Sequence, residues 1–261
     1  MFPVRSISAR KGDAGRVLII GGSSEIHGAP ILAGLGALAT GVDLIRLFVP
    51  QKHATITRMA HTNFLVGEFL GNIFSPADAE RIADIAKKWA SSVVLGCGFF
   101  REELTAVQCF LQNYSGRLIL DAGALQSEVL SEIHGRKNVL ITPHGGEFQR
   151  LFEETAEKNF VQSAAKKWDI SILRKGVVDV VADAEKAEEI SAGCPEMAVG
   201  GTGDVLAGIC GGFLAQGFSP FEAACQATFS WGKAGEEYTK EWRAFSAEEL
   251  VTFFRRRWKF L

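Results

Sequence analysis

Six short apolar runs recur along this chain, and each stops at glycine, aspartate or proline: "GRVLIIGGS", "DLIRLFVP", "SVVLGCG", "GRLILDAGAL", "NVLITPH" and "ISILRKG". Runs this short and this continuously apolar predict strands buried on both faces, as in a parallel sheet. Helical patterns fall between them. "APILAGLGALATG" is a small-residue helix able to lie close against a sheet. In "SPADAERIADIAKKWA", Ser75 is placed to cap a helix, Pro76 takes its first position, and Ile82, Ile85, Ala86 and Trp89 share one face. "VVDVVAD" directly after "RKG" predicts an antiparallel turn near the sheet edge. Two late segments each open on a serine with a glutamate three residues on, so the C-terminal part reads as mostly helical. The expected fold is α/β, a three-layer α/β/α sandwich around a mostly parallel sheet.

Composition narrows what such a sandwich can do. Hydrophobic residues make up 47% of the 261 and charged residues 22%, the balance of a soluble globular protein. A net charge of −2 gives no reason to expect a nucleic-acid partner, and the basic end "FRRRWKF" reads as a solvated helix face. The start "MFPVRSISARKGDAGRV" lacks the apolar core of a secretion signal, and no apolar run long enough to span a membrane escapes glycine punctuation. A cytoplasmic protein with no membrane partner is expected. Cys97, Cys109, Cys194, Cys210 and Cys225 are odd in number and form no CxxC pair, which predicts free thiols. No linker, charge block or repeat divides residues 1–261, so one domain is expected.

In open α/β sheets, ligands sit beyond the carboxyl ends of the strands. The loops there are "GGSSEIHGAP", "GCGF", "DAGAL", "TPHGGEF", "RKG" and "AVGGTGD". In "GGTGDVLAGI", Gly200, Gly201 and Gly203 precede a helix that is apolar nearly all round, with Asp204 in its first turn. Two readings stand: a nest of N–H groups holding an anion beside a general base, or a tight turn with Asp204 serving only as a helix-end charge. His144 and Glu147 of "TPHGGEF" face a ligand, or staple their own loop. Lys175 of "RKG" is a point charge for phosphate, or a solvated lysine. Neither a GxGxxG leading into a helix nor a GxxxxGK[ST] loop is present.

The order of "KGDAGRVLIIGGS…GAP", "VLGCGF", "LILDAGAL", "VLITPHGGEF", "LRKG" and "GGTGDVLAGI" resembles the NAD(P)H-hydrate dehydratase family over roughly residues 10 to 235. The resemblance implies a ribokinase-like fold. It also implies a repair lyase that removes water from NADH or NADPH hydrate at the expense of ADP or ATP, by phosphorylating the hydrate's hydroxyl and then eliminating phosphate. It makes Asp204 the base and the N–H groups of Gly201, Thr202 and Gly203 the anion hole. Ala29, Gly98, His144 and Asp204 would touch the hydrated nicotinamide nucleotide. Lys175, Gly176, Val177, Val178, Asp179 and Gly203 would contact the adenine nucleotide, and Glu147 would organise Mg2+.

The resemblance further implies a homotetramer, and a separate epimerase to interconvert the hydrate epimers, since many relatives carry an epimerase domain for which this chain has no room. Three residues depart from the family's usual pattern: Gly145 stands where proline is common, "GCGFF" lacks a final glycine, and Ile26 replaces a frequent tyrosine. Two other readings use the same loops. An ordinary ribokinase-like kinase for a hydroxymethylpyrimidine or thiazole alcohol would need the same Asp204 and anion hole; a nucleotide-binding module would need neither.

Overall fold

A computed structural model describes residues 7–257; residues 1–6 and 258–261, which include the last part of the basic end, lie outside the described residues. The chain runs through β1 (Arg16–Ile20), α1 (Gly28–Ala39), β2 (Leu44–Val49), α2 (Ala54–Ala60), β3 (Phe64–Glu68), α3 (Pro76–Trp89), β4 (Ser92–Leu95) and α4 (Leu104–Asn113). It continues through β5 (Leu118–Leu120), α5 (Leu130–Ile133), β6 (Val139–Ile141), α6 (Gly145–Phe152), α7 (Lys158–Trp168), β7 (Ser171–Arg174), β8 (Asp179–Ala182) and β9 (Ala187–Ile190). Helices α8 (Thr202–Ala215), α9 (Pro220–Tyr238) and α10 (Ala247–Arg257) close it. The strands make one sheet in the order β3-β2-β1-β4-β5-β6-β7-β8-β9. All pairings from β3 to β7 are parallel; β7–β8 and β8–β9 are antiparallel.

All six apolar runs form strands at their expected places, and "VVDVVAD" supplies the antiparallel β8. Ser75 and Ser219 complete capping boxes with Asp78 and Glu222. Strands β3 and β9 escape a reading built on continuous apolar runs because both are edges. "FLVGE" and "AEEI" are half-solvated, so neither has to be apolar throughout. Arg255, Arg256 and Arg257 are exposed on α10, as a solvated face requires. All five cysteines are free, and no helix among the described residues is long and apolar enough to cross a membrane.

Alternation along the strands builds two cores. Val17, Ile19, Val94, Ile119, Leu140 and Leu173 point to the face covered by α1, α8, α9 and α10. Leu18, Ile20, Val93, Leu95, Leu120 and Ile141 point to the other face, where Ile82 of α3, Phe110 of α4, Phe148 of α6 and Val161 of α7 pack on them. The strand order reverses direction between β1 and β4, which leaves a crevice at their carboxyl ends.

Helix α8 is the best-anchored element bordering that end of the sheet. A Cβ on Gly208 would lie 1.9 Å from the Ala33 carbonyl oxygen, and one on Gly36 would lie 2.2 Å from that of Val205, so α1 and α8 touch backbone to backbone. Ser92 Oγ donates to the Gly211 carbonyl at 2.7 Å and ties the same helix to β4. Helix propensity alone would make Gly208→Ala stabilising by about 1 kcal/mol. The clash is with backbone and cannot rotate away, so the expected outcome is the opposite sign, a loss of about 2–3 kcal/mol seen as a lower urea midpoint. A raised midpoint would show that the two helices are not in contact.

Candidate active site

Gly201 has φ 93°, a left-handed conformation that costs a side chain dearly, and it bends the chain into α8. The first intrahelical bond is the Val205 N–H to the Gly201 carbonyl at 3.0 Å. The N–H groups of Thr202, Gly203 and Asp204 precede it, and no side chain caps them. The Thr202 hydroxyl turns the other way, donating to the carbonyls of Met197 or Val199 at 3.0 Å. The helix therefore presents free donors and the positive end of its dipole at the sheet's carboxyl edge.

Asp204 meets two side chains there to which the sequence reading gave no role. Cys97, Asp121 and Asp204 bring their donor atoms within 4.8 Å of one another. Asp121 follows β5 directly and is 3% exposed. Its Oδ1 accepts from Lys175 Nζ at 2.7 Å and from Thr142 Oγ1 at 2.7 Å, while Cys97 Sγ lies 3.7 Å from its Oδ2. The signal for Asp121 was present, an acidic residue ending the run "LILD", but a strand-end aspartate is also a common turn former.

Charge in this pocket is unevenly compensated. Burial pushes the Asp204 carboxyl up to about 7, helped by the charge of Asp121 and, more weakly, Glu147, against the pull of Lys175 and the Cys97 thiol. Burial works to lower Lys175, but the Asp121 carboxylate outweighs it and holds the ammonium above its usual range. One ammonium thus serves two carboxylates, the buried Asp121 and the half-buried Asp204, and the direct bond goes to Asp121. Lys175 is no solvated lysine: its side chain is 19% exposed, and a Cβ on Gly203 would sit 3.5 Å from its Nζ.

His144 caps α6 with its ring, Nδ1 accepting from the N–H groups of Gly146 and Glu147 at 3.1 and 3.3 Å. That acceptor role places the imidazole proton on Nε2, which lies 3.5 Å from Glu147 Oε1 on a half-exposed side chain. The stapled loop and the ligand-facing donor are therefore compatible readings. Glu147 Oε2 accepts from the His144 N–H at 2.8 Å, which leaves Oε1 as its other oxygen. Gly145 begins α6, where a Cβ would meet only the Ala156 Cβ at 3.9 Å, an ordinary contact.

At the crevice between β1 and β4, a Cβ on Gly98 would come within 3.0 Å of the Ala29 Cβ and the Ile26 Cγ2. Ala29, Gly98 and Ile26 are thus one wall. Lys175, Gly176, Val177 and Asp179 line a cavity of about 530 Å³ together with Thr202, Gly203 and the apolar Cys194, Met197, Leu206 and Trp231. Val178 is not part of that lining; its carbonyl accepts from Arg174 at 2.9 Å. Burial pushes the Asp179 carboxyl up to about 6 against the Gly176 N–H and the charges of Arg174 and Lys175.

Known proteins with this sequence pattern and fold are consistent with one another. Residues 17–254 match the family described as NAD(P)H-hydrate dehydratase. The ADP-dependent (S)-NAD(P)H-hydrate dehydratase of Cenarchaeum symbiosum is 39% identical over 243 residues, 90% of this chain and 84% of that protein. A bifunctional NAD(P)H-hydrate repair enzyme of Methanothermobacter thermautotrophicus is 34% identical over 96% of this chain, which spans 51% of that longer protein. The ADP/ATP-dependent NAD(P)H-hydrate dehydratase of Bacillus subtilis, co-crystallised with ATP and Mg2+, superposes with a TM-score of 0.83 at 25% identity, over 99% of this chain and 94% of that one.

The raised Asp204 carboxyl has a stability consequence. Between about pH 4 and pH 7 the folded protein holds a proton there that the unfolded chain releases, so stability falls as pH rises through that window. Asp204→Asn removes the buried charge. It is expected to raise thermal stability at pH 8, by about 1–3 kcal/mol, and to change it little at pH 4. Equal midpoints at pH 8 would mean that the carboxylate is not held at a cost.

Proposed function

The chain belongs to the NAD(P)H-hydrate dehydratase family, and on that premise we propose that it restores NADH or NADPH from the S epimer of the hydrate in a reaction driven by ADP or ATP. The observation that carries this reading is the meeting of a half-buried carboxylate, Asp204, with uncapped N–H donors and an ammonium, beside a cavity that Lys175, Thr202 and Gly203 line. Hydroxide is a poor leaving group and phosphate a good one, so the chemistry is divided in two. Asp204 takes the proton of the hydrate's hydroxyl while the hydroxyl oxygen attacks the terminal phosphorus of the nucleotide, and the bond from that phosphorus to the departing nucleotide breaks. The N–H groups of Gly201, Thr202 and Gly203 stabilise charge on the phosphoryl group in transfer. The ring nitrogen then pushes its electron pair toward the adjacent carbon, the carbon–oxygen bond breaks, and phosphate departs with that oxygen. Loss of a proton from the neighbouring carbon restores the double bond.

The remaining residues hold the two substrates. The cavity beside Lys175, Gly176, Val177, Asp179 and Gly203 takes the adenine nucleotide, with Lys175 exchanging its bond to Asp121 for the nucleotide's phosphates. Val178 acts by shaping the turn rather than by contact. Ala29, Gly98 and His144 hold the nicotinamide end, His144 through its Nε2 proton. Glu147 Oε1, a hard carboxylate oxygen with His144 Nε2 3.5 Å away, would be the group to hold Mg2+, which keeps most of its waters and binds few carboxylates beside phosphates. Bound there, the ion would neutralise phosphate charge.

All of this chemistry falls to one domain. It leaves the R epimer to a separate epimerase, an activity suggested by the longer bifunctional relative. A cytoplasmic homotetramer is part of the proposal on the family resemblance alone.

The test mixes purified protein with NADPH hydrate, Mg2+ and either ADP or ATP, and follows the return of dihydronicotinamide absorbance. Expected are recovery with release of one phosphate per turnover, and kcat/KM that rises with pH through about 7 as Asp204 gives up its proton. Asp204→Asn is expected to lose about 10²–10⁴ in kcat. A stable phosphorylated alcohol as the end product, with no restored absorbance, would instead make the chain an ordinary kinase.

A further inference from the structure

A second cavity, of about 330 Å³, lies over the β4–β6 half of the sheet, whereas the one beside Lys175 lies over the β7–β9 half. The Asp121–Lys175 pair stands between the two halves. Phe100 and Arg101 from the loop after β4, Gln126 and Ser127 from the loop after β5, and Glu147 and Arg150 from α6 form its walls. It adjoins the nicotinamide wall twice over, since Phe99 follows Gly98 and Glu147 is bonded to His144.

The lining is built for a particular chemistry. Arg101 and Arg150 are both exposed, and neither forms an ion pair among the described residues; Glu128 feels the charge of Arg101 without bonding to it. Arg150 Nη1 would be 3.8 Å from a Cβ on Gly146, so its guanidinium folds back over the first turn of α6. Phe100 keeps 37% of its surface open, while its neighbour Phe99 is locked against Phe74 with ring centroids 5.3 Å apart. Gln126 Nε2 donates to the carbonyls of Gly123 at 2.9 Å and Arg101 at 3.4 Å, tying the two loops together. An open aromatic face beside two guanidiniums that stand outside any ion pair fits a purine carrying a phosphate on its sugar, with Glu147 at the opposite, nicotinamide side of the cavity.

Given the function proposed above, on which this step rests, we propose that this cavity receives the adenosine end of the hydrated dinucleotide. Phe100 stacks on the adenine and Arg101 and Arg150 clasp the ribose 2′-phosphate, so that NADPH hydrate is preferred to NADH hydrate. The second phenylalanine of "GCGFF", where the family commonly closes with glycine, thereby gains a role as the base platform. The diphosphate bridge is the competing partner for Arg150, whose guanidinium lies over the His144 end of α6, and it is common to both hydrates, so the comparison of the two substrates separates them.

The experiment compares wild type, Arg101→Ala and Arg150→Ala with both hydrates under saturating ADP or ATP. Wild type is expected to show kcat/KM at least about tenfold higher for NADPH hydrate, and each variant to raise KM for that substrate about tenfold while moving the NADH hydrate value less than about threefold. Equal losses on both hydrates, or no preference in wild type, overturn the proposal. A wild type that dehydrates neither hydrate refutes the function instead. The cavity is then judged by dihydronicotinamide fluorescence titration: NADPH binding more tightly than NADH, with the difference lost in both variants, supports the subsite, and equal binding overturns it.

Discussion

Backbone contact between α1 and α8 fixes where everything else in this protein can be. With Gly36 and Gly208 at the crossing, the helices approach to a distance that no side chain permits, and Gly211 lets α8 settle against the side chain of Val94, whose Cγ2 would lie 2.5 Å from a Cβ there. The Arg117 guanidinium, donating to the Leu214 carbonyl at 2.8 Å, holds the far end. A helix so tightly held has no freedom to slide, and its N-terminus is delivered to the carboxyl edge of the sheet at one height and one angle. The free N–H groups of its first turn and the carboxylate of Asp204 inherit that placement.

Electrostatics at this end of the sheet then follow from a count of charges. Two carboxylates, the buried Asp121 and the half-buried Asp204, share one ammonium, and Lys175 bonds to Asp121. Asp204 is left with a raised affinity for protons, which is what a base working near neutrality requires. The same arrangement makes Lys175 available. A phosphate brought beside Gly203 competes with Asp121 for the ammonium, and the first turn of α8 offers it free donors. Because such a phosphate also adds negative charge beside Asp121 and Asp204, its binding depends on those donors, on Lys175 and on a cation that accompanies it.

Much of this was legible in the sequence because burial leaves a strong imprint. Strands covered on both faces must be apolar throughout, so six of the nine announced themselves as continuous runs and β8 by its place after "RKG". Edges β3 and β9 carry no such demand and leave no continuous apolar run to find. Asp204 stood out because a charge at the mouth of an all-apolar helix is unusual. Asp121 and Cys97 did not, because what makes them matter is a meeting of β4, β5, β7 and α8 in space, and no local pattern encodes it. Arg101 and Arg150 were hidden for the same reason: 49 positions separate them in the chain, and only the fold puts them in one cavity.

The central claim is that the hydrate's hydroxyl oxygen leaves as part of phosphate, and oxygen labelling tests it most directly. Hydrate prepared in H₂¹⁸O carries the heavy atom at that hydroxyl; after a single round of dehydration in ordinary water, the released phosphate is examined by mass spectrometry. The account predicts one ¹⁸O in each phosphate released. Unlabelled phosphate, with the heavy oxygen lost to water, would show that nucleotide hydrolysis and dehydration proceed without a phosphorylated intermediate and would contradict it.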